Sequence, residues 1–191
     1  MQYPQKWKAT ALSAARICAA TATLTLLSAC GSTADKPQVT SAAQPYILNA
    51  IKDFKNRELS GHAPAYVDQK TQALAIDAAQ YKDVLAAAST TFNGESGTYT
   101  VNLTALTELD GESRYVLKVG DKAYAEMQNP ESELLYSVAM HRWENVQINK
   151  GDTIEAHFSA ETSGRIPEGD GTAWSRGRWT EISLLCTKDC N

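Results

Sequence analysis

TFNGESGTYTVNLTALTELDGESRYVLKVG, residues 91–120, decides the fold. Tyr99, Val101 and Leu103 alternate with Thr98, Thr100, Asn102 and Thr104, the period-two pattern of a strand that packs one face and wets the other. After a loop that carries Asp110-Gly111, the pattern returns in Tyr115, Leu117 and Val119, and Gly120-Asp121 supplies the next turn. The economical expectation is an antiparallel meander. Nothing in the stretch is a catalytic signature.

Working outward, 122–127 reads as a third strand and 128–137, acid-rich around Asn129-Pro130, as a loop. Residues 143–150 and 153–159 read as a further strand pair around the tight turn Lys150-Gly151-Asp152. From 160 to 177 there is no apolar period but there are Gly164, Pro167, Gly169, Gly171 and Gly177. Loops of that length inside compact domains are usually functional. Strand character resumes over 178–185. On the N-terminal side, QALAIDAAQY (72–81) reads as a strand to about Ala78, although its alanines also permit a helix reaching Ala88. Residues 61–70, with Gly61 and Pro64, read as a surface connection. Tyr46, Ile47, Ala50, Ile51 and Phe54 have helical spacing, and Pro45 suits a first helical turn, so a short amphipathic helix is expected over 46–59. The size and strand spacing of 72–191 predict one mainly β domain, an antiparallel β-sandwich of at least seven strands, preceded at 45–71 by the helix and its connecting loop.

The first 29 residues read as an export signal. Lys6, Lys8 and Arg16 precede an apolar run, 17–29, that is shorter than the roughly 20 residues a spanning helix needs. Leu27-Ser28-Ala29-Cys30 resembles the lipobox of bacterial lipoproteins, which implies that Cys30 carries the lipid and begins the mature chain. The alternative is an ordinary secretory cut near Ala29. Residues 30–44 are small and polar and read as a tether. Gly31-Ser32 lacks the aspartate that resembles an inner-membrane retention signal, so the implied address is the outer membrane. Loss of the leader removes three of the 18 Lys and Arg and none of the 22 acidic residues, leaving a formal −7. That sign disfavours nucleic acid and anionic lipid surfaces as partners. Of four cysteines, Cys186 and Cys190 remain beside Cys30 in a compartment where disulfides persist, and a terminal staple is expected of them; a redox pair or half of a zinc site is the alternative.

Three motifs taken together resemble carbohydrate-binding modules of the galactose-binding-like jelly-roll type, families 6 and 35: Gly97-Thr98-Tyr99-Thr100-Val101, the 114–119 strand ending at Gly120, and the run from Trp143 to Ile154 with its Gly151 turn. The likeness covers about 72–185. It implies a jelly-roll sandwich that binds a saccharide without catalysis. The cofactor it raises is calcium, which such modules hold with the carboxylates of an opening Glu-Ala-Glu; the matching stretch here, Ile76-Asp77-Ala78-Ala79, has one carboxylate. The loop 164–179 is unlike those modules, and no ligand is transferred from it.

Sugar sites set an aromatic face against the ring and bring carboxylates and guanidinium groups to its hydroxyls. Between Arg165 and Trp179 the chain holds Glu168, Asp170, Trp174, Arg176, Arg178 and Trp179. These are the candidate ligand-binding residues, against the reading that each Trp packs a core and each Arg pairs with a loop acid. Asp110, Glu112 and Arg114 are a secondary cluster that also reads as a solvated turn. The three histidines form no zinc-protease motif, and no nucleophile elbow or phosphate loop is present, so no enzyme is predicted. The competing function is a structural or assembly lipoprotein that holds a protein partner in the cell envelope.

Overall fold

The computed structural model describes residues 44–82 and 84–190; the export signal, Cys30 and nearly all of the tether lie outside the described residues. In chain order the elements are β1 (Tyr46–Asn49), α1 (Ala50–Asp53), β2 (Ala65–Asp68), β3 (Ala73–Ile76), β4 (Leu85–Thr91), β5 (Gly97–Leu106) and β6 (Arg114–Val119). There follow β7 (Lys122–Ala123), β8 (Met127–Gln128), β9 (Val138–Ile148), β10 (Thr153–Ser159), β11 (Pro167–Glu168), β12 (Gly171–Thr172) and β13 (Trp179–Lys188). One sheet runs β2-β3-β13-β5-β9 with β1 also on β13, the other runs β4-β10-β6-β7 with β8 also on β6, and β11-β12 is a separate hairpin. Every named pairing is antiparallel. The chain is an antiparallel β-sandwich.

The alternation in 91–120 marks the core faces correctly: Tyr99, Val101, Leu103, Tyr115, Leu117 and Val119 are all buried. The pairing differs from a meander. β5 lies in one sheet and β6 in the other, and the connection 107–113 crosses between them. β9 and β10, expected as a pair, are likewise split between sheets. Period-two alternation reports which side of a strand is apolar and is silent about its neighbour, whereas alternation of successive strands between layers is what a jelly roll requires. The Gly120-Asp121 turn does close a hairpin, β6-β7, with Gly120 at φ +54°.

The expected helix over 46–59 is a single turn. Tyr46–Asn49 is a strand paired with Glu181–Leu184 of β13, and Asn49 caps the turn by accepting from Ile51 N and Lys52 N. The cause is a vacancy in the sheet: β3 meets β13 only at Trp179, so the edge beyond it is free to take β1. The sandwich therefore begins at Tyr46 rather than Gln72. Two strands had no signal in the sequence as read. β2 lies in what reads as a surface connection, and β4 is alanine-rich because it is covered on both sides. Ala86 and Ala88 face the core and Ala87 is also fully buried, while the ends of the segment 56–63 pair with the edge of β4, Ser89 N donating to Asn56 O at 2.8 Å and Ala63 N to Leu85 O at 2.9 Å. The smallness of Ala87 lets the His62 ring reach over β4 to meet His157 edge-on at 4.6 Å.

Trp179 joins the two layers. Fully buried at the start of β13, it stands edge-to-face with Phe54 at 4.8 Å and with Phe158 of the opposite sheet at 6.1 Å. At the other end of β13 the Cys186–Cys190 disulfide is formed, and Gly97 is the residue against which Cys190 Sγ packs.

Gly177 sets the entry of β13. It has φ +55°, and a Cβ there would stand 2.7 Å from Ser159 O, a backbone atom with no freedom to move aside. Gly177→Ala is expected to cost about 1–3 kcal/mol from backbone strain and more from the contact. Gly120→Ala, with a similar φ of +54° and open space around it, should cost only the strain. Urea unfolding of the two variants checks the difference; equal losses would show that the contact with Ser159 carries no weight.

Candidate functional site

Residues 173–177 look aperiodic in sequence, yet in the fold they alternate: Ala173, Ser175 and Gly177 are buried, Trp174 is half-buried and Arg176 is exposed. An extended chain with small residues inside must point its large ones outward. The segment is tied along its length. Ala173 N donates to Ile166 O (2.8 Å), Ser175 N to Glu161 O (2.7 Å), Arg176 N to the Glu108 carboxylate (2.9 Å), and Ile76 N donates to Arg176 O (2.9 Å). Ser175 Oγ adds a 2.6 Å hydrogen bond with Ser113 Oγ in the interior. Trp174 and Arg176 thus project from a fixed ledge.

Facing the ledge is the turn 77–81, which is held by its own first residue. Asp77 accepts from Ala79 N (3.1 Å) and Gln80 Nε2 (2.7 Å), and its carbonyl accepts from Gln80 N and Tyr81 N. Between turn and ledge lies a depression of about 390 Å³ with Tyr66, Tyr81 and Arg176 in its walls. Arg176 Nη1 donates to Tyr66 Oη at 3.3 Å. A second depression of about 230 Å³ adjoins it, lined by Lys82, Asp110, Glu168, Trp174 and Arg176. Lys82 Nζ stands 5.5 Å from the Trp174 ring centre. Burial, reinforced by the nearby Glu168 charge, raises the Asp110 carboxyl above its usual range although Arg176 and Arg178 oppose the shift.

Six candidates from the loop separate into three groups. Trp174, Arg176 and Glu168 come together in these depressions. Asp170 sits on the exposed β11–β12 turn and lines neither of them. Arg178 and Trp179 are withdrawn from the site by Gly177, whose positive φ breaks the alternation and sends both side chains inward. Trp179 is a core residue with no face open to a ligand. The Arg178 guanidinium is 7% exposed and bonds the carboxylates of Asp68 (2.6 Å) and Glu108 beneath the ledge. Burial alone would raise Asp68, but the hydrogen bond and charge of Arg178 hold it below the usual carboxylate range. Glu108, deeper, stays raised by burial in spite of the same guanidinium.

Of the secondary cluster, Asp110 lines the second depression, Arg114 is paired with Glu161 at 2.6 Å and Glu112 is taken by Arg165 at 3.2 Å. The sequence gives no site signal for Tyr66, Tyr81, Gln80 and Lys82, and marks Asp77 only as the lone carboxylate of the calcium-like stretch. The one feature that could have found them is the turn chemistry of Asp77 ahead of an aromatic. The residues at Asp77 do not fit calcium: both carboxylate oxygens serve the turn, and among the described residues no three His, Cys, Asp or Glu side chains are grouped to hold a metal ion.

No family model matches the chain. A protein of Formosa agariphila described as uncharacterized protein P23 is 37% identical over 112 residues, 57% of this chain; the chain spans 25% of that protein's length. Among solved structures, a family 35 carbohydrate-binding module from Cellvibrio japonicus gives a TM-score of 0.48 at 11% identity over 78% of this chain and 100% of its own. An exo-β-1,3-galactanase from Phanerochaete chrysosporium with galactose gives 0.47 at 11% identity over 75% and 30%. A family 36 module in complex with calcium and xylotriose gives 0.44 at 14% identity over 73% and 98%. All three scores lie below 0.5.

The buried ion pairs make a pH-dependent prediction. Arg178→Met should cost about 3–5 kcal/mol near neutral pH, because it strands Glu108. A carboxyl whose folded pKa lies above its unfolded value makes stability fall as pH rises, so the penalty should shrink as Glu108 takes up a proton on acidification. Denaturant unfolding from pH 7.5 to pH 5 tests this. A penalty independent of pH would mean that Glu108 is not the group left stranded, and adding Glu108→Gln should then recover nothing.

Proposed function

We propose that this chain is an exported lipoprotein that binds a saccharide, without catalysis, in the groove between the 77–82 turn and the Trp174–Arg176 ledge. The observation that carries the reading is the pair of side chains on that ledge: one aromatic face and one guanidinium, on a backbone bonded at Ala173, Ser175 and Arg176. A pyranose needs an apolar plane for its C–H face and charged or amide groups for its hydroxyls. Trp174 offers the plane; Arg176, Gln80, Asp110 and Glu168 offer the polar contacts. Preorganisation matters because ordering a loop at the moment of binding would consume much of the gain. The motif resemblance in residues 97–101, 114–120 and 143–154 supports the same reading independently of the groove.

The anchoring half of the proposal rests on the sequence of the leader. Cys30 is the lipidated residue, and the outer membrane is the address. A second reading, a protein partner in the envelope, draws on one surface feature: Leu134, Leu135, Val138 and Met140 are 51–69% exposed around the start of β9.

Trp174→Ala is expected to weaken saccharide binding roughly fivefold or more, the equivalent of about 1 kcal/mol, with little change in melting temperature. Trp179→Ala should instead cost about 3–5 kcal/mol of stability. Affinity electrophoresis over a polysaccharide panel and thermal unfolding separate the two. Loss of stability in the Trp174 variant with binding intact would remove the ring from the site.

Cys30→Ser should abolish lipid labelling and release the protein from membranes after a carbonate wash. Full membrane retention of that variant would replace the lipidated cysteine with an uncleaved anchor.

A further inference from the structure

The two depressions of the groove are part of a longer series. A third, of about 210 Å³, opens on the far side of Trp174 and is walled by Lys82, Leu85, Arg114 and Glu161. The first and second share Arg176; the second and third share Trp174 and Lys82. The opposite wall comes from residues 77–82, 84 and 85. Asp77, Gln80 and Tyr81 line the first depression, Ala78, Ala79 and Lys82 the second, and Lys82, Val84 and Leu85 the third. The first and third share no lining residue, so the second lies between them and the three form a contiguous series.

The ledge gives that series its spacing. Trp174 and Arg176 are two residues apart on an extended segment and so stand about 6–7 Å apart along it, the scale of a sugar ring. Each marks the boundary between neighbouring depressions and does not close the end of one. Arg176 cannot swing far, since its backbone is bonded to Glu108 and Ile76 and its guanidinium to Tyr66. At the third position Arg114 is fixed by Glu161 at 2.6 Å, with Glu126 beyond at 3.5 Å.

From this geometry we infer that the groove takes an internal stretch of a linear glycan, three consecutive sugar units, rather than a single sugar or a chain end. The inference rests on the saccharide reading and adds the class of ligand. Trp174 lies under the glycosidic junction between the second and third units, and Arg176 reaches the junction between the first and second. A site for a chain end needs a wall across the series, and the residues shared between depressions are the ones that would have to form it.

The test is a length series. β-1,4-xylo-, β-1,4-manno- and β-1,3-galacto-oligosaccharides of one to six units, together with the parent polysaccharides before and after chemical reduction of their ends, are titrated against the mature protein by calorimetry. In the series that binds, affinity should rise about tenfold or more from one unit to three and change little from three to six. The polysaccharide with reduced ends should bind as well as the untreated one. A monosaccharide that binds as tightly as the hexasaccharide, or binding lost on end reduction, overturns the inference and leaves the saccharide reading standing. Failure of every oligosaccharide and polysaccharide to bind overturns both.

Discussion

The groove depends on a charge that water barely reaches. Arg178 lies just ahead of β13, Glu108 just past the end of β5, and Asp68 at the end of β2, so one guanidinium fastens three strand ends of the same sheet. Such a bridge is weak evidence for net stability, since desolvating the ions offsets most of their attraction. Its structural effect is specific, however. One oxygen of Glu108 meets Arg178 and the other accepts Arg176 N, so the ion pair that closes the sheet also sets the height of the ledge. Tyr115 Oη donates to Arg178 O at 3.2 Å, and Asn129, itself bonded to His141, donates to Leu106 O at 3.0 Å. These groups form a bonded network, which is rigid in that state, while the Trp179 indole N–H beside it is buried without a partner.

Gly177 divides the functions of two neighbouring residue pairs. Trp174, half-buried, and Arg176, exposed, precede it and line the groove; Arg178 and Trp179 follow it and face the interior. In composition the pairs are alike, one tryptophan and one arginine each. No pattern of residue types could separate them, because the difference is the sign of one backbone angle together with the proximity of Ser159 O. A glycine that follows an inside-outside alternation of small and large residues is the sequence feature that marks such an inversion. Here Ala-Trp-Ser-Arg-Gly is too short to stand out from a glycine-rich surrounding.

How much of the fold was legible follows the same division. Strand faces were readable wherever bulky apolar residues alternate with threonine or asparagine, as in 97–106 and 114–119. Sheet membership was not readable, because β5 and β6 bury their apolar sides against each other's sheets and would show the same alternation as hairpin partners. β4 was hidden by alanine, a helix former in isolation, which the fold uses for its small size where both faces of the strand are buried. β1 was read as a helix because Tyr46, Ile47, Ala50 and Ile51 fit a helical stripe. The free edge of β13 outweighs that preference. Of the groove, one wall was legible from its residue types, and the other, from 77–82 with Val84 and Leu85, was not, since small and apolar residues with no reactive pattern supply much of it.

The two ends of the sandwich have separate tasks. Gln44 and Tyr46, where the chain enters the fold, lie beside Glu95, Tyr99 and the Cys186–Cys190 disulfide, and the Tyr46 ring packs edge-on against Phe92 at 5.3 Å. β13 runs from the groove to that end, from Trp179 to Lys188, and β5 runs back, from Gly97 to Leu106. β1 nevertheless pairs with Glu181–Leu184, so that Asn49 at its end lies opposite Glu181, close in sequence to Arg178. A ten-residue strand spans about 30 Å. The point where the chain enters the fold and the groove thus lie at opposite ends of β13, and β1 leads the chain from the first toward the second.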